Sequence, residues 1–541
     1  MNQLKEKTVL VVDDLVAVRS ALGQMLASLG IVKVEFAGNG EECLRRMSTR
    51  HYDIILCDYY LGEGRDGMQV LEAAKQQHLT DLTTVFVMIT AEASTSMVVG
   101  AVEHRPDDYL VKPITRQMLQ ERLPRLINRK EILVDVERFI RAGNLAQAAQ
   151  LAGEQARAQP QYALDLMQVQ VDLLMRLGQF TAAREVVEAA AAIREAFWVK
   201  LARGQISYYL GDYDNAKDAF ADLITDNLLY IEAYDWLARV HQAQGNFPEA
   251  KELLIAANHI SSRSIRRSQA LGEISLRTAD PEMAEQAYRN AVRIGRFSIY
   301  CDPNDAARLA RLLAERGNYR EATRIIKDAR KQYQGDIRAI LALSIAEGAY
   351  CHKLQLSAVA THTLETAISV YQDARNTLPP DLAIELARLC QAYNMPQAAG
   401  IVTDIVFAHI EDAVLMQRAR ELFRSLGMAQ TGEKFIHGLW TKVAEANSTG
   451  VRLIQEGKLD DAQQFLEKAA NAMPFNPTIN LNAARVILLI VEERGYNEKL
   501  LTQAKKYLDE IPNTFANNDK FQQLQGMWTR LSQLPEEVSS S

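Results

Sequence analysis

Short apolar runs and longer amphipathic stretches alternate along the first 128 residues. Stretches such as Ala17–Leu29 and Met68–Gln77 carry apolar residues at helical spacing, whereas the shorter runs are rich in β-branched residues, which favour strands. The predicted strands are Thr8–Val12, Val32–Ala37, Ile54–Cys57, Val85–Ile89 and Asp108–Val111. This alternation is typical of a doubly wound α/β domain, here with a five-stranded parallel sheet and helices on both faces.

The pattern changes near residue 136, and from there onward the sequence has no convincing strand. Ala, Leu, Glu, Gln and Arg dominate this region, so we expect it to be helical. The chain is therefore predicted to divide into a first domain over residues 1–128, a helical linker over 129–136 and an all-α domain over 137–541. Pro124 lies in the last predicted helix of the first domain, where we expect it to kink that helix.

The helical region repeats a short motif, in which a Gly is followed two residues later by an aromatic or aliphatic residue and three residues after that by Ala. The motif glycines are Gly143, Gly178, Gly211, Gly245, Gly317 and Gly457, and Ala279 takes the glycine position in a further copy. The first four glycines are 35, 33 and 34 residues apart. Gly permits the left-handed cap that ends one helix, and the small Ala lets the next helix approach closely.

A period near 34 residues and this motif resemble the tetratricopeptide repeat family. The resemblance is best over residues 137–330 and 445–480. It is degenerate over 333–440, where the helices near Ile345–Arg375 are predicted to be longer than the repeat consensus. The resemblance implies a superhelix whose concave surface binds a peptide or helix of a partner protein, and the sequence does not identify that partner.

Polar side chains fall at the ends of four predicted strands. Asp13 and Asp14 follow the first strand, Asp58 the third, Thr90 the fourth and Lys112 the fifth. In an open parallel sheet, this edge is where ligands bind. Three converging carboxylates need a hard cation to neutralise them, and such oxygen-rich sites suit Mg²⁺. The sequence therefore predicts a Mg²⁺ site with a carboxylate nucleophile, beside a hydroxyl and an ammonium that can hold a phosphoryl group.

These residues lie in motifs that resemble those of the two-component receiver family. The motifs are VVDD (Val11–Asp14), ILCDYYLG (Ile55–Gly62), MITAE (Met88–Glu92) and DYLVKP (Asp108–Pro113). The resemblance implies a flavodoxin-like receiver domain in a response regulator of a two-component phosphorelay. It also implies that Asp58 accepts a phosphoryl group from a histidine kinase or a histidine phosphotransfer protein.

The same resemblance assigns a role to each site residue. The implied Mg²⁺ ligands are Asp13, Asp14, Asp58 and the backbone carbonyl of Tyr60. Lys112 would pair with the phosphoryl oxygens, Thr90 would hydrogen-bond to them, and Tyr109 would change rotamer as the switch. A cis peptide bond before Pro113 would aim Lys112 inward.

The loop after Asp58 departs from the family pattern. Gly62 stands where the family often has Pro, and the loop is one residue longer, which bears on loop conformation and on the lifetime of the phosphoryl group. Gly62, Gly64 and Gly67 also spell a dinucleotide-binding motif, but it follows the third strand and lacks the acidic residue expected about 20 positions later. We interpret that match as accidental, and Asp53 as a surface residue that enters the third strand.

Charge and motif content limit the function of the helical domain. The net charge of −7 gives no broad attraction to a phosphate backbone. The basic cluster Arg263, Arg266 and Arg267 is interpreted as a solvated helix face in preference to a binding patch. RNA or DNA binding by this domain stays open as an alternative, as does an enzyme with an active site in 333–440. Otherwise no enzymatic activity is expected beyond self-phosphorylation and dephosphorylation at Asp58.

The N-terminus and the cysteines bear on location. Met1–Lys7 is polar, and the apolar run that follows is too short for a signal peptide or a membrane span, so a cytoplasmic protein without membrane contact is expected. The five cysteines form no CxxC pair, which fits reduced, mostly buried thiols. A homodimer through the receiver domain stays open.

Overall fold

A parallel β-sheet forms the centre of the N-terminal domain in the computed structural model of the chain. The structure describes residues 4–91, 105–354, 356–375, 378–473, 476–511 and 518–532. Glu92, the last residue of the MITAE motif, lies outside the described residues. The chain forms two units, Met1–Asp305 and Ala306–Ser541.

The sheet has five strands, as the alternation of apolar runs predicts. They are β1 (Thr8–Val12), β2 (Lys33–Ala37), β3 (Ile54–Asp58), β4 (Val85–Thr90) and β5 (Asp108–Val111). All neighbours are parallel, in the order β2-β1-β3-β4-β5. β3 and β4 end one residue later than predicted, because Asp58 pairs with Ile89 and Thr90 pairs with Val111 in the ladder. Asp58 and Thr90 are therefore the last residues of their strands, which fixes their backbones.

Helices cover both faces of the sheet, as expected for a doubly wound domain. The described helices of this domain are α1 (Val16–Ser28), α2 (Gly40–Thr49), α3 (Gly67–Gln76) and α4 (Arg116–Glu131). Alternate strand residues point to opposite faces. Leu10 and Ile55 pack with α2 and α3 in one buried cluster, whereas Val9 and Ile54 pack with α1 and α4 in the other.

The last helix of the N-terminal domain runs through Pro124 as one element. Leu123 and Ile127, on either side of the proline, are both buried against the sheet. Their burial favours a continuous helix across a residue that otherwise disfavours one. After a short turn, α5 (Val134–Arg141) begins inside the predicted linker.

Consecutive helices then pack against one another through the rest of the first unit. They are α6 (Leu145–Ala158), α7 (Ala163–Arg176), α8 (Phe180–Ile193), α9 (Phe197–Tyr209), α10 (Tyr213–Asp226), α11 (Ile231–Ala243), α12 (Phe247–Ile260), α13 (Ile265–Arg277) and α14 (Pro281–Gly295). The short turns and regular helix lengths agree with a helical repeat.

The repeat motif acts as its chemistry predicts. All six motif glycines have positive φ, between 70° and 82°, and Ala279 has φ of 55°. The motif alanines are fully buried where the next helix packs; they are Ala148, Ala183, Ala216, Ala250, Ala284, Ala322 and Ala462. Each glycine thus ends one helix, and each alanine permits close approach of its partner. We call the helices from α5 onward the array.

The second unit continues the helical pattern, after α15 (Pro303–Glu315), which begins in the first unit. Its helices are α16 (Tyr319–Gln332), α17 (Ile337–Lys353), α18 (Ser357–Ala374), α19 (Pro380–Ala392), α20 (Gln397–His409), α21 (Ala413–Ser425), α22 (Ala429–Gln455), α23 (Leu459–Ala472), α24 (Pro477–Arg494), α25 (Glu498–Asp509) and α26 (Asp519–Ser532). At 17 and 18 residues, α17 and α18 are longer than the 14-residue motif helices, as expected. No strand follows Val111 among the described residues.

Candidate functional site

Three carboxylates meet at the carboxyl edge of the sheet. Asp13 follows β1 and Asp58 ends β3, and these two strands are neighbours in the sheet. Carboxylate oxygens of Asp13, Asp14 and Asp58 all lie within 4.8 Å of one another. Asp13 and Asp58 are buried, whereas Asp14 is exposed. The side chains that the sequence predicts to converge therefore do so.

Lys112 places a cation between two of these carboxylates. Its Nζ lies 2.8 Å from Oδ2 of Asp13 and 2.8 Å from Oδ2 of Asp58. Burial raises the pKa of the Asp58 carboxyl above its ordinary value, and the Lys112 ammonium opposes that rise. Burial alone would lower the pKa of Lys112, but hydrogen bonds to Asp13 and Asp58 outweigh this effect and raise it. Lys112 thus stays positively charged near neutral pH, beside the buried oxygens.

The donor set fits a hard divalent cation. Carboxylate oxygens are the ligands that Mg²⁺ prefers, and a site that mixes one exposed with two buried carboxylates leaves room for water ligands. Tyr60, whose backbone carbonyl is predicted to be a ligand, lies two residues after Asp58, and its side chain is exposed. The residues present therefore suit Mg²⁺.

The hydroxyl residues lie on the neighbouring strands. Thr90 is fully buried at the end of β4, and its carbonyl accepts a 2.7 Å hydrogen bond from the Lys112 amide. Tyr109 lies on β5, partly buried against the core beneath α2 and α3. The Lys112–Pro113 peptide bond is cis, as the resemblance implies. These residues surround the same sheet edge as Asp58.

The other acidic candidate, Asp53, lies at the opposite edge of the sheet. Its carboxylate accepts hydrogen bonds from the Thr8 amide at 2.7 Å and the Thr8 hydroxyl at 2.8 Å, and it pairs with Lys7. It is half-buried, not fully solvated. Asp53 therefore connects the starts of β1 and β3 and takes no part in the acidic cluster.

Two site features escape sequence reasoning. A Cβ added to Gly67 would lie 2.2 Å from the Asp58 carbonyl oxygen, so only glycine allows the start of α3 to pack against the acidic strand end. Gly67 is also one of the three glycines of the accidental dinucleotide-binding match. Glycine at this position is thus explained by packing against Asp58. Arg19 of α1 also donates a hydrogen bond to the Asp13 carbonyl oxygen. Neither contact has a recognisable spacing in the sequence.

The arginine cluster of the array is engaged in intramolecular contacts. Arg267 is buried and donates to both carboxylate oxygens of Asp235, each at 2.8 Å, so its interpretation as part of a solvated face is wrong. Arg266 stacks 4.0 Å from the centroid of the Tyr300 ring. Arg263 lies 5.2 Å from the centroid of the Tyr59 ring. Because each guanidinium has an internal partner, the cluster is a weak basis for nucleic-acid binding.

Comparisons with known proteins agree with this site. Residues 9–124 match the family profile of the response regulator receiver domain. The chain is 28% identical over 122 residues to the chemotaxis protein CheY of Pseudomonas aeruginosa, covering 22% of this chain and 96% of that protein. It is 30% identical over 129 residues to the transcriptional regulatory protein ResD of Bacillus subtilis, covering 24% of this chain and 51% of ResD.

One solved structure is also similar to part of the chain. The chemotaxis protein CheY4 of Vibrio cholerae has 27% sequence identity and a TM-score of 0.21, covering 22% of this chain and 98% of that protein. No described helix is long and apolar enough to cross a membrane. The acidic cluster and the family match agree, and together with the relatives they support a two-component response regulator with an N-terminal receiver domain.

Proposed function

We propose that Asp58 accepts a phosphoryl group from the phosphohistidine of a kinase or phosphotransfer protein, and that this modification controls protein binding by the array. One observation carries the proposal: the Lys112 ammonium bridges Asp13 and Asp58 at 2.8 Å within a cluster of three carboxylates. The arrangement combines a carboxylate nucleophile with a cation placed for the incoming phosphoryl oxygens.

In the proposed reaction, an Asp58 carboxylate oxygen attacks phosphorus while the bond from phosphorus to the histidine nitrogen breaks. The products are an acyl phosphate on Asp58 and the free histidine of the donor. Lys112 pairs with the phosphoryl oxygens, the Thr90 hydroxyl hydrogen-bonds to them, and Tyr109 changes rotamer. Asp13, Asp14, Asp58 and the Tyr60 carbonyl would hold Mg²⁺, which when bound would neutralise the negative charge that opposes the approach of the phosphoryl group.

The array supplies the output in this proposal. Its small buried alanines and its left-handed glycine turns build a regular stack of helices. Such stacks present an extended surface to a peptide or helix. We assign them to the tetratricopeptide repeat class, in a cytoplasmic protein. The internal partners of the arginine cluster favour a protein ligand over nucleic acid.

The phosphoacceptor is tested by labelling the full chain with phosphoramidate and separating the products on a phosphate-affinity gel. We expect Asp58→Asn to abolish labelling and the matched variant Asp53→Asn to label like wild type, since Asp53 lies outside the cluster. Excess chelator should abolish labelling of wild type. Equal labelling of wild type and Asp58→Asn would refute the assignment.

A further inference from the structure

A short part of the array contacts the receiver segment that follows Asp58. We call Arg263 and Ile294–Ile299 the clamp; Arg263 lies between α12 and α13, and the other residues lie at and after the end of α14. Nε of Arg65 donates to the Phe297 carbonyl at 2.8 Å. Nε2 of Gln69 donates to the Ile294 carbonyl at 3.0 Å. Arg65 lies in the loop between β3 and α3, and Gln69 lies in the first turn of α3.

Buried contacts reinforce these two hydrogen bonds. The Ser298 hydroxyl donates to Oε2 of Glu72 at 2.9 Å, and both residues are buried. Loss of a hydrogen bond to a buried carboxylate is costly, so this contact resists separation of the clamp from α3. Ile299 packs against the receiver core that contains Tyr59 and Leu71.

Arg263 brings a charge next to the phosphoacceptor segment. Its guanidinium lies over the ring of Tyr59, which is buried and directly follows Asp58. Arg263 also opposes the rise that burial causes in the pKa of Asp66, the N-cap of α3. The clamp therefore contacts both ends of the loop that begins at Asp58.

This loop has little slack. A Cβ on Gly67 would lie 2.2 Å from the Asp58 carbonyl oxygen, so the start of α3 already packs tightly against the acidic strand end. A change in the backbone near Asp58 would therefore displace the first turn of α3. Arg65 and Gln69 both donate hydrogen bonds to the clamp; Arg65 lies just before that turn and Gln69 lies within it.

We propose that the clamp is the array surface that senses the phosphorylation state of Asp58, with Arg263 as a positioning residue for the β3–α3 loop. This inference rests on the proposed function. In this proposal the contacts with the clamp favour one backbone conformation of the loop, and phosphorylation of Asp58, which shifts that backbone, loosens them. The two equilibria are thermodynamically linked. If binding of a phosphoryl mimic weakens the contacts of the clamp by some factor, those contacts weaken binding of the mimic by the same factor.

The test uses the full chain with Mg²⁺ and beryllofluoride as the phosphoryl mimic. Hydrogen exchange should rise in the peptide covering Ile294–Ile299 when the mimic binds. Arg263→Ala and, from the receiver side, Arg65→Ala should each lower the half-saturating beryllofluoride concentration about 5- to 10-fold, within the usual range of allosteric coupling. Arg263→Lys, which keeps a cation over the ring, should restore the wild-type value.

The matched control is Arg239→Ala, because Arg239 stacks on Trp236 at 4.6 Å within the array. It should leave half-saturation within twofold of wild type. The inference is wrong if hydrogen exchange changes in the β3–α3 loop on addition of beryllofluoride but does not rise in the clamp. It is also wrong if the Arg65 and Arg263 variants have the half-saturation of wild type. In both cases the proposed function survives. If the receiver itself does not respond, the proposed function fails first. Should Arg263→Ala not fold, Arg65→Ala decides.

Discussion

The carboxyl edge of the receiver sheet and the helix turns of the array both depend on short motifs, but of different kinds. At the sheet edge, charged groups determine the chemistry of the site: Lys112 lies 2.8 Å from Asp13 and from Asp58. At the turns, size and backbone freedom matter, as in the positive φ of Gly211 and the complete burial of Ala216. A chemical motif therefore predicts which residues meet, whereas a steric motif predicts how helices stack and leaves the binding surface undefined.

Removing the Lys112 cation should have the largest effect on the chemistry at the sheet edge. Lys112→Ala deletes the group that faces the incoming phosphoryl oxygens, and loss of one such donor typically slows a reaction about 100-fold. We expect phosphoramidate labelling of Asp58 to slow by about that factor, while the variant stays folded at the temperature of the labelling reaction. Arg277→Ala, which removes an array arginine stacked on Phe247, is the control and should label normally. Normal labelling of Lys112→Ala would contradict the role of the Lys112 ammonium in pairing with the phosphoryl oxygens.

Two glycine substitutions sharpen the comparison between the regions. Gly67→Ala places a methyl group 2.2 Å from the Asp58 carbonyl oxygen, so the backbone must shift, at a cost of about 3 kcal/mol. Gly211→Ala meets no atom within 4 Å and suffers only from its positive φ, at a cost of about 1 kcal/mol. Urea unfolding should show this order, and only Gly67→Ala should slow labelling of Asp58. The reverse order would mean that the loop after Asp58 yields more readily than the array turns.

Enlarging a motif alanine should affect the array alone. Ala216 is fully buried in α10, so Ala216→Leu overpacks the contact with the neighbouring helix at a cost of about 2 kcal/mol. Labelling of Asp58 should stay within twofold of wild type, because α10 supplies no group to the acidic cluster. Ala221→Leu, in the same helix at a partly exposed position, is the control and should cost less than about 0.5 kcal/mol. Equal costs for both variants would argue against close approach at the motif alanine.

Sequence reasoning succeeded where local chemistry determines the structure. Strand periodicity predicted five strands within one residue, and strand-end positions predicted the meeting of Asp13 and Asp58. It failed where a partner lies far along the chain. Arg263 and Arg266 are exposed, as the interpretation of the arginine cluster as a solvated face predicts, but Arg267 is buried against Asp235. Helix periodicity contains no information about such partners, because they depend on which helices pack together in the folded chain.

The smallest predicted effect concerns a charged contact between the receiver and the array. Nε2 of His51 lies 3.1 Å from Asp81, which also pairs with Arg141 of α5. The hydrogen bond to Asp81 raises the pKa of His51, so its stabilisation is complete below the unfolded value of about 6.5 and is lost as pH rises through the raised value. Because the His51 side chain is 43% exposed, His51→Gln should cost less than about 1 kcal/mol, at acidic pH only.

Urea unfolding between about pH 5.5 and pH 9 measures that cost, with His362→Gln on an exposed position of α18 as the control. The control should stay within about 0.5 kcal/mol of wild type, because His362 is exposed on α18. For His51→Gln, the difference should shrink toward zero as pH rises, because the neutral imidazole loses its attraction to Asp81. A cost that is constant across the series would show that His51 contributes by packing, and that the junction between receiver and array is not tuned by protonation at this position.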